Sequence, residues 1–287
     1  MSLASVALPD FAQPFDDRVD AGLQWLSDHG ADWFDLANAG LKSLFQAVLW
    51  LVAWPPCYVI ALLIALLGWR LVGRRFALLA FVALLGCNLI GLWPETTSTL
   101  ALVLTATVLA LVVGIPLGVA AGLAPRLDRL VDPCLDLVQT LPPYIYLLPA
   151  IALLGYGPAT ALLATFIVAV PPVLRLTALG IRMTPREFIE LGDASGVTAT
   201  QMFFKIRLPF ALPSIMAGIN QSLMMAFGMV VIAGIVGSGG LGESIYGAIR
   251  TLDIAKSINA AVAIVILTLI LDRLAQSFAH SKAGGGQ

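Results

Sequence analysis

The sequence predicts an all-α fold, a polytopic transmembrane helical bundle with about seven spans. Of its 287 residues, 59% are apolar and only 11% are charged, whereas soluble domains carry roughly 25% charged residues. The mean hydropathy is +0.94. Long apolar stretches recur along the chain at the length of about 20 residues that a spanning helix needs. These observations argue against a soluble enzyme, and the net charge of −1 argues against a nucleic-acid partner.

Each predicted span is a mainly apolar stretch bounded by polar residues or by Gly and Pro. The seven stretches are 56–70, 75–93, 97–122, 134–155, 159–180, 211–236 and 258–278. Gly and Pro are expected to break several of them, at 114–118, at Leu141-Pro142-Pro143 and at Pro171-Pro172. Such breaks are tolerated where neighbouring protein or a cavity satisfies the freed backbone groups.

Residues 39–54 precede the first predicted span and show a helical period. Apolar residues recur on one side, at Leu41, Leu44, Phe45, Val48, Leu49 and Val52. We interpret the segment as an amphipathic helix that lies at the membrane interface and contacts lipid, and that Trp54-Pro55-Pro56 ends. The alternative, in which this segment crosses the membrane, gives eight spans.

The distribution of Lys and Arg sets the expected orientation, because cytoplasmic loops are enriched in positive charge. With seven spans, one side collects 12 of the 16 basic residues. The first 43 residues carry seven Asp and only two basic residues. We therefore expect an external N-terminus and a cytoplasmic C-terminus.

No ionisable residue lies at the middle of a predicted span, although ion-coupled carriers usually place one there. Arg175, Asp136 and Asp272 fall near span ends, from which they can snorkel. Neutral polar residues are the candidates for a translocation path: Gln139, Thr140, Asn220, Gln221 and Ser222. The alternative role for each is a hydrogen bond between helices.

The sequence offers no catalytic, cofactor or metal site. Its three cysteines are far apart, and both histidines lie in the polar ends, so no set has metal-ligand spacing. The glycine-rich run 237–242 matches Gly-x-Gly-x-x-Gly but follows a span and not a strand, so we interpret it as a tight external turn. There is no Gly-Lys pair and hence no phosphate-binding loop, so any ATP hydrolysis requires a separate chain.

The polar segment between the fifth and sixth spans is rich in helix signals. Thr184-Pro185-Arg186-Glu187 predicts a capped helix that runs to about Ala194, and Gly196 predicts a left-handed turn after it. Thr198 and Gln201 predict a second capping box, flanked by Val197 and Met202 as a hydrophobic staple. A rigid helix–turn–helix at the membrane surface is expected.

This segment resembles the EAA loop of ATP-binding-cassette importer permeases: Glu-Ala-Ala, three residues, Gly, nine residues, Ile-x-Leu-Pro. Here the pattern is Glu190-Leu191-Gly192, Gly196 and Ile206-Arg207-Leu208-Pro209, with both alanines replaced. Five further strings resemble the glycine betaine/proline betaine/choline branch: LPPYIYLLP (141–149), AVPPVLRLT (169–177), MAGINQSLM (216–224), MVVIA (229–233) and GGLG (239–242).

The resemblance implies a core of five helices, as in type I importer permeases, over residues 96–280, with the coupling loop at 182–209. Residues 1–55 are then an acidic tail and the interfacial helix, 56–95 two additional spans, and 281–287 a flexible cytoplasmic tail. The loop residues implied to couple to the ATPase are Glu190, Leu191, Gly192, Asp193, Ala194, Ser195, Gly196, Ile206, Leu208 and Pro209.

The implied partners are cytoplasmic ATPase subunits, an external solute-binding protein and a second permease, which we expect to be identical. The implied activity is import of glycine betaine, proline betaine or choline. A permease for methionine or taurine, an ion-coupled carrier and a membrane enzyme are the alternatives. The ion-coupled carrier lacks support because no charged residue lies at mid-span, and the membrane enzyme lacks support because no set of catalytic residues is found.

The charge asymmetry generates a topological prediction. Reporter fusions after Asp35 and Gly240 should report an external location, and fusions after Arg75, Asp193 and Lys282 a cytoplasmic one. Paired alkaline phosphatase and fluorescent protein fusions measure this. A cytoplasmic signal after Asp35 would contradict the seven-span arrangement.

Overall fold

The computed structural model describes residues 12–283, and those residues form helices joined by short turns, without strands. Residues 1–11 and 284–287, which contain parts of the two predicted tails, lie outside this range. The twelve α-helices are α1 (Ala12–Ala53), α2 (Cys57–Leu71), α3 (Arg74–Leu89), α4 (Trp93–Leu123), α5 (Pro125–Thr140), α6 (Leu147–Leu154), α7 (Pro158–Arg182), α8 (Arg186–Ala194), α9 (Ala199–Gln201), α10 (Leu208–Ala233), α11 (Gly240–Thr251) and α12 (Ile254–Ala283).

Among the described residues, five helical stretches are long and apolar enough to cross a membrane, and a bent pair makes a sixth if it counts as one span. The five are 16–53, 93–123, 158–182, 199–236 and 254–277. The last four agree with predicted spans. The set differs from the seven predicted spans because α2 and α3 have only 15 and 16 residues, and because the helix before them is long.

The centre of the bundle is α7, which packs against α4 along one side. Three glycines of α4, one turn apart, let the two backbones approach closely. A Cβ atom at Gly118 would lie 2.6 Å from the carbonyl oxygen of Leu174, and one at Gly122 would lie 2.8 Å from Cβ of Ile181. Gly114 faces Val173 in the same way. Residue numbers therefore increase in the same direction along both helices, so α4 and α7 are parallel.

On its other side α7 packs against α10, which runs antiparallel to it. A Cβ atom at Gly180 would lie 3.0 Å from the carbonyl oxygen of Ala211, and one at Gly218 would lie 3.0 Å from Cα of Val173. Ser222 Oγ donates a hydrogen bond of 2.7 Å to the carbonyl oxygen of Ala169. The three helices thus form one closely packed unit, to which the other elements attach.

The break predicted at Leu141-Pro142-Pro143 is confirmed, and it divides the span predicted at 134–155. The helix α5 ends at Thr140, a 3₁₀ turn covers Pro143–Tyr146, and the chain bends by 104° before α6 ends at Leu154. Leu141 is extended (φ −72°, ψ 138°), the conformation that a following proline favours. Tyr146 Oη donates a 2.7 Å hydrogen bond to the carbonyl oxygen of Val138 across the bend.

The other predicted breaks do not occur. The helix α4 continues through Pro116, α7 through Pro171 and Pro172, and α10 through Pro213. Both prolines of α7 are buried in the packed unit. Close tertiary packing therefore overrides a local preference that, by itself, kinks or breaks a helix.

The N-terminal region differs from the predicted tail with a short helix, because α1 is a single helix that begins at Ala12. It ends at Ala53, just before the prolines that were predicted to stop it. Its predicted apolar face is only partly confirmed: Phe45 and Val52 are buried in the main core, whereas Leu44 is exposed. After it, α2 and α3 pack against each other as a helical hairpin that contacts α12.

The α4–α7 contact generates a stability prediction. Gly118→Ala should lower the free energy of unfolding by about 1–3 kcal/mol, and with it the melting temperature of the purified protein. The new methyl group meets backbone and Thr177 and not a flexible side-chain end. Gly228→Ala on α10 is the matched control, since no heavy atom lies within 4 Å of its Cβ position. Thermal unfolding in detergent measures both, and equal melting of the two variants would contradict the prediction.

Candidate functional site

The candidate site is the segment 182–209 between α7 and α10. Thr184, predicted to cap α8, instead donates its hydroxyl proton to the carbonyl oxygen of Ile181 at the end of α7. The residue preceding α8 is Pro185, which makes no side-chain cap. The predicted first capping box is therefore wrong, because this threonine is buried and satisfied by the preceding helix. The predicted end of α8 at Ala194 is confirmed.

The turn after α8 is built around Gly196, whose φ of +68° confirms the predicted left-handed conformation. The Gly196 N–H donates to the carbonyl oxygen of Asp193 at 3.1 Å, and the Val197 N–H donates to that of Gly192 at 3.2 Å. This pair of bonds is the Schellman arrangement that satisfies the last carbonyls of a helix. Nothing lies within 4 Å of a Cβ at Gly196, so only backbone conformation restricts this position.

The second capping box is confirmed. Thr198 Oγ1 accepts from the Gln201 N–H at 3.3 Å, and Gln201 Oε1 accepts from the Thr198 N–H at 3.0 Å. The helix that follows does not stop before the next span. A π-helical segment, Met202–Arg207, joins it to α10, so that Leu208 and Pro209 lie in the first turn of a longer helix. The loop and α10 thus form one continuous helical stretch.

Gly192 holds the two arms of the loop together. A Cβ at this position would lie 2.7 Å from Cε of Met202, 2.9 Å from Cδ1 of Ile206 and 3.2 Å from Cγ2 of Val197. The predicted staple residues therefore do converge, and they do so on the buried face of α8. The contacting atoms are ends of flexible side chains, so an alanine, as in the general pattern, can be accommodated at this position.

The opposite face of α8 is exposed and mixes apolar with acidic residues. Leu191 is 63% exposed, and Glu190 and Asp193 lie beside it in the sequence and are exposed too. Phe204 is 60% exposed and packs edge-on against Phe203, with ring centroids 4.9 Å apart. Ala194 and Ser195 complete this exposed surface. A large apolar side chain rimmed by charge is a typical protein docking feature.

An ionic ladder fastens α5 to the end of α7 that leads into the loop. Arg175 contacts Asp136 at 2.6 Å and Asp132 at 3.8 Å, and Arg182 pairs with Asp128. Arg175 was predicted to snorkel near a span end, and here it is ion-paired. Sequence reasoning missed the ladder, although acids at i, i+4 and i+8 opposite arginines seven residues apart indicate such a pairing of two helices.

The predicted path residues make different local contacts in the single chain. Gln139 Oε1 accepts from Arg175 Nη1 at 3.0 Å, and Thr140 Oγ1 donates to the Leu137 carbonyl oxygen at 3.1 Å. Ser222 is buried and bonded to α7, as the alternative role anticipated. Gln221 is exposed, and Asn220 has a buried Oδ1 atom without a hydrogen-bond partner among the described residues.

The glycine-rich run 237–242 contains a tight turn, as predicted, but it also begins α11, which was not predicted. Gly237, Gly239 and Gly240 have positive φ. The Leu241 N–H donates to Thr99 Oγ1 at 2.8 Å, which ties α11 to the first part of α4. The run thus packs the start of α11 against α4. It follows a helix and not a strand, so this segment lacks the geometry of a dinucleotide site.

Comparisons with known proteins place this geometry in a family. The model of the "binding-protein-dependent transport system inner membrane component" family matches residues 114–282. The glycine betaine transport system permease protein OpuAB of Bacillus subtilis (strain 168) is 37% identical over 273 residues, 95% of this chain and 97% of that protein. The glycine betaine/proline betaine permease ProW of Escherichia coli (strain K12) is also 37% identical over 273 residues, 95% of this chain and 77% of that protein.

Among solved structures, a chain of the methionine ABC transporter MetNI in an inward-facing conformation has a TM-score of 0.59 and 24% identity. The match covers 64% of this chain and 93% of that chain, and it supports the helical fold. Permeases of this family work with ATPase and solute-binding components and leave ATP hydrolysis to the partner. The chain therefore belongs to the binding-protein-dependent transport inner membrane component family, as a multi-pass permease subunit of an ATP-binding-cassette transporter.

Proposed function

We propose that this permease imports a small quaternary ammonium solute, glycine betaine, proline betaine or choline, with energy from ATP hydrolysed by a separate subunit. The observation that carries the substrate is the 37% identity to two betaine permeases across 95% of the chain. Within the described residues, moreover, the three ion pairs join α5 to α7 at one end of the packed unit. A dedicated ion relay at mid-span, the mark of an ion-coupled carrier, has no support.

We further propose that segment 182–209 docks on the ATPase. The contact surface is the exposed face of α8 around Leu191, with Glu190, Asp193, Ala194 and Ser195 beside it. The turn at Gly196 and the packing at Gly192 fix this face relative to Ile206 and α10. Because Leu208 and Pro209 continue directly into α10, a displacement of α8 by the ATPase moves a membrane-spanning helix.

The proposed orientation has the N-terminus outside and the C-terminus in the cytoplasm of a bacterial inner membrane. In this orientation the stretch from Asn38 to Ala53 lies along the outer surface. Asn38 Nδ2 donates at 2.9 Å to the carbonyl oxygen of Leu154, which ends α6 just before α7 begins on that side. The other end of the stretch leads into α2 on the same side. The exposed Trp50 and Trp54 suit the membrane interface.

The remaining partners are an external solute-binding protein and a second permease, which we propose is an identical copy. We place the translocation path, with its polar candidates, between the two copies. The same proposal assigns residues 96–280 to the transport core and 1–95 to an N-terminal addition of tail, interfacial helix and hairpin.

Transport assays test the energy source and the substrate together. Proteoliposomes that contain this permease, its ATPase and its solute-binding protein should accumulate labelled glycine betaine only with ATP, and a proton or sodium ionophore should not stop uptake. Proline betaine and choline should compete, whereas methionine and taurine should not. Uptake that persists without the ATPase and collapses with the ionophore would establish an ion-coupled carrier instead.

Variants at Gly196 test the coupling role of the loop. Gly196→Val should leave membrane abundance unchanged but weaken ATPase co-purification and uptake, because a side chain at positive φ costs about 1 kcal/mol or more. Gly196→Ala should be milder and Gly196→Asn mildest, since Asn tolerates this conformation. Gly247→Ala on α11 is the control, because it lies outside the loop and no heavy atom lies within 4 Å of its Cβ position. Wild-type behaviour of all three Gly196 variants would refute the proposal.

A further inference from the structure

The hairpin of α2 and α3 lies outside the family model, which begins at residue 114. Its two helices enclose a groove of about 580 Å³. The lining is almost wholly apolar and is shared by both helices; it includes Leu62, Leu66, Trp69, Leu78 and Phe81, with Arg74 at one end. Leu62, Leu66 and Leu78 are 51%, 46% and 65% exposed, so the groove opens to the surroundings of the chain.

Positive charge is concentrated at one end of this groove. Arg70, Arg74 and Arg75 surround the turn between the two helices, and all three are exposed. The Arg74 guanidinium lies over the Trp69 ring, 5.6 Å from its centroid. Among the described residues, no carboxylate pairs with these arginines, because the ion pairs found there involve Arg175 and Arg182. The cluster therefore offers three unneutralised charges.

The length of the hairpin brings these charges close to lipid phosphates. A helix rises 1.5 Å per residue, so α2 and α3, with 15 and 16 residues, are about 22 and 24 Å long. The hydrocarbon core of a bilayer is about 30 Å thick. Because the hairpin is shorter than the hydrocarbon core, the bilayer thins around it. The arginines at its turn then lie near the boundary of the hydrocarbon core, within reach of anionic headgroups.

We propose that this groove is a binding site for an anionic phospholipid, with its phosphate on Arg70, Arg74 and Arg75 and an acyl chain along Leu66, Leu78 and Phe81. The charged headgroup of such a lipid matches the arginine cluster, and its acyl chain matches the apolar groove. A free anion does not fill the apolar groove, and a lipid without net charge does not neutralise the arginines. Basic pockets between membrane helices recognise anionic headgroups by this combination.

The site is tested by titrating dioleoylphosphatidylglycerol into the purified full-length chain in detergent and measuring the melting temperature. The wild-type protein should be stabilised by this lipid, more than by dioleoylphosphatidylcholine and not by inorganic phosphate. Arg70→Gln/Arg74→Gln/Arg75→Gln should raise the half-saturating concentration roughly tenfold or more, since each arginine near a headgroup contributes severalfold. This readout involves no transport, so it is independent of the proposed function.

Two further variants separate the proposal from a general effect of charge. Ala77→Phe keeps all three arginines but fills the groove, which Ala77 lines, and should weaken binding similarly. Arg126→Gln/Arg129→Gln removes two exposed arginines from α5 and should bind the lipid as the wild type does. Equal stabilisation by both lipids or by phosphate, an equal loss in the α5 control, or wild-type binding by Ala77→Phe or by the triple variant would each overturn the proposal.

Discussion

The rest of this structure depends on the close backbone contact of α7 with α4 and α10. Lipid chains are as apolar as the helices, so burial of apolar surface does not hold a membrane bundle together, and close packing must do so. Glycines supply that packing: Gly118 lets α4 approach the backbone of Leu174, and Gly218 lets α10 approach that of Val173. Both contacts meet on the same turn of α7, at adjacent residues. The prolines of α7 are buried in the same unit, so its packing also tolerates residues that weaken an isolated helix.

Both ends of the loop 182–209 are attached to helices of the packed unit. One end of the loop leaves α7 at Arg182, which is ion-paired to Asp128 of α5, and the other continues into α10 without a break. The turn at Gly196 and the contacts at Gly192 leave little freedom between these ends. Under the proposed function, a force on the exposed face of α8 would therefore reach two packed helices and would not be absorbed by a flexible linker.

The N-terminal elements, α1 and the α2–α3 hairpin, have a different proposed role, which is contact with the membrane. In the proposed orientation the stretch of α1 from Asn38 to Ala53 lies along the outer surface, with Trp50 and Trp54 at the interface, and the α2–α3 hairpin places its arginines at the opposite leaflet. The hairpin packs on α12, so its position relative to the transport core is fixed. A lipid bound there is in a position to affect the stability of a helix of the core without entering the loop or the path.

By itself, the sequence determined the helical membrane class, most helix boundaries and the turn geometry of the loop, because composition, apolar runs and caps act within a few residues. Gly196 at positive φ and the Thr198–Gln201 box are such local features. Only the tertiary structure decided which prolines break a helix, since Pro142 bends the chain while Pro171 does not. It also gave Thr184 a partner in α7, paired Arg175 with α5 and bonded Ser222 to α7, because each outcome depends on what another helix places opposite that residue.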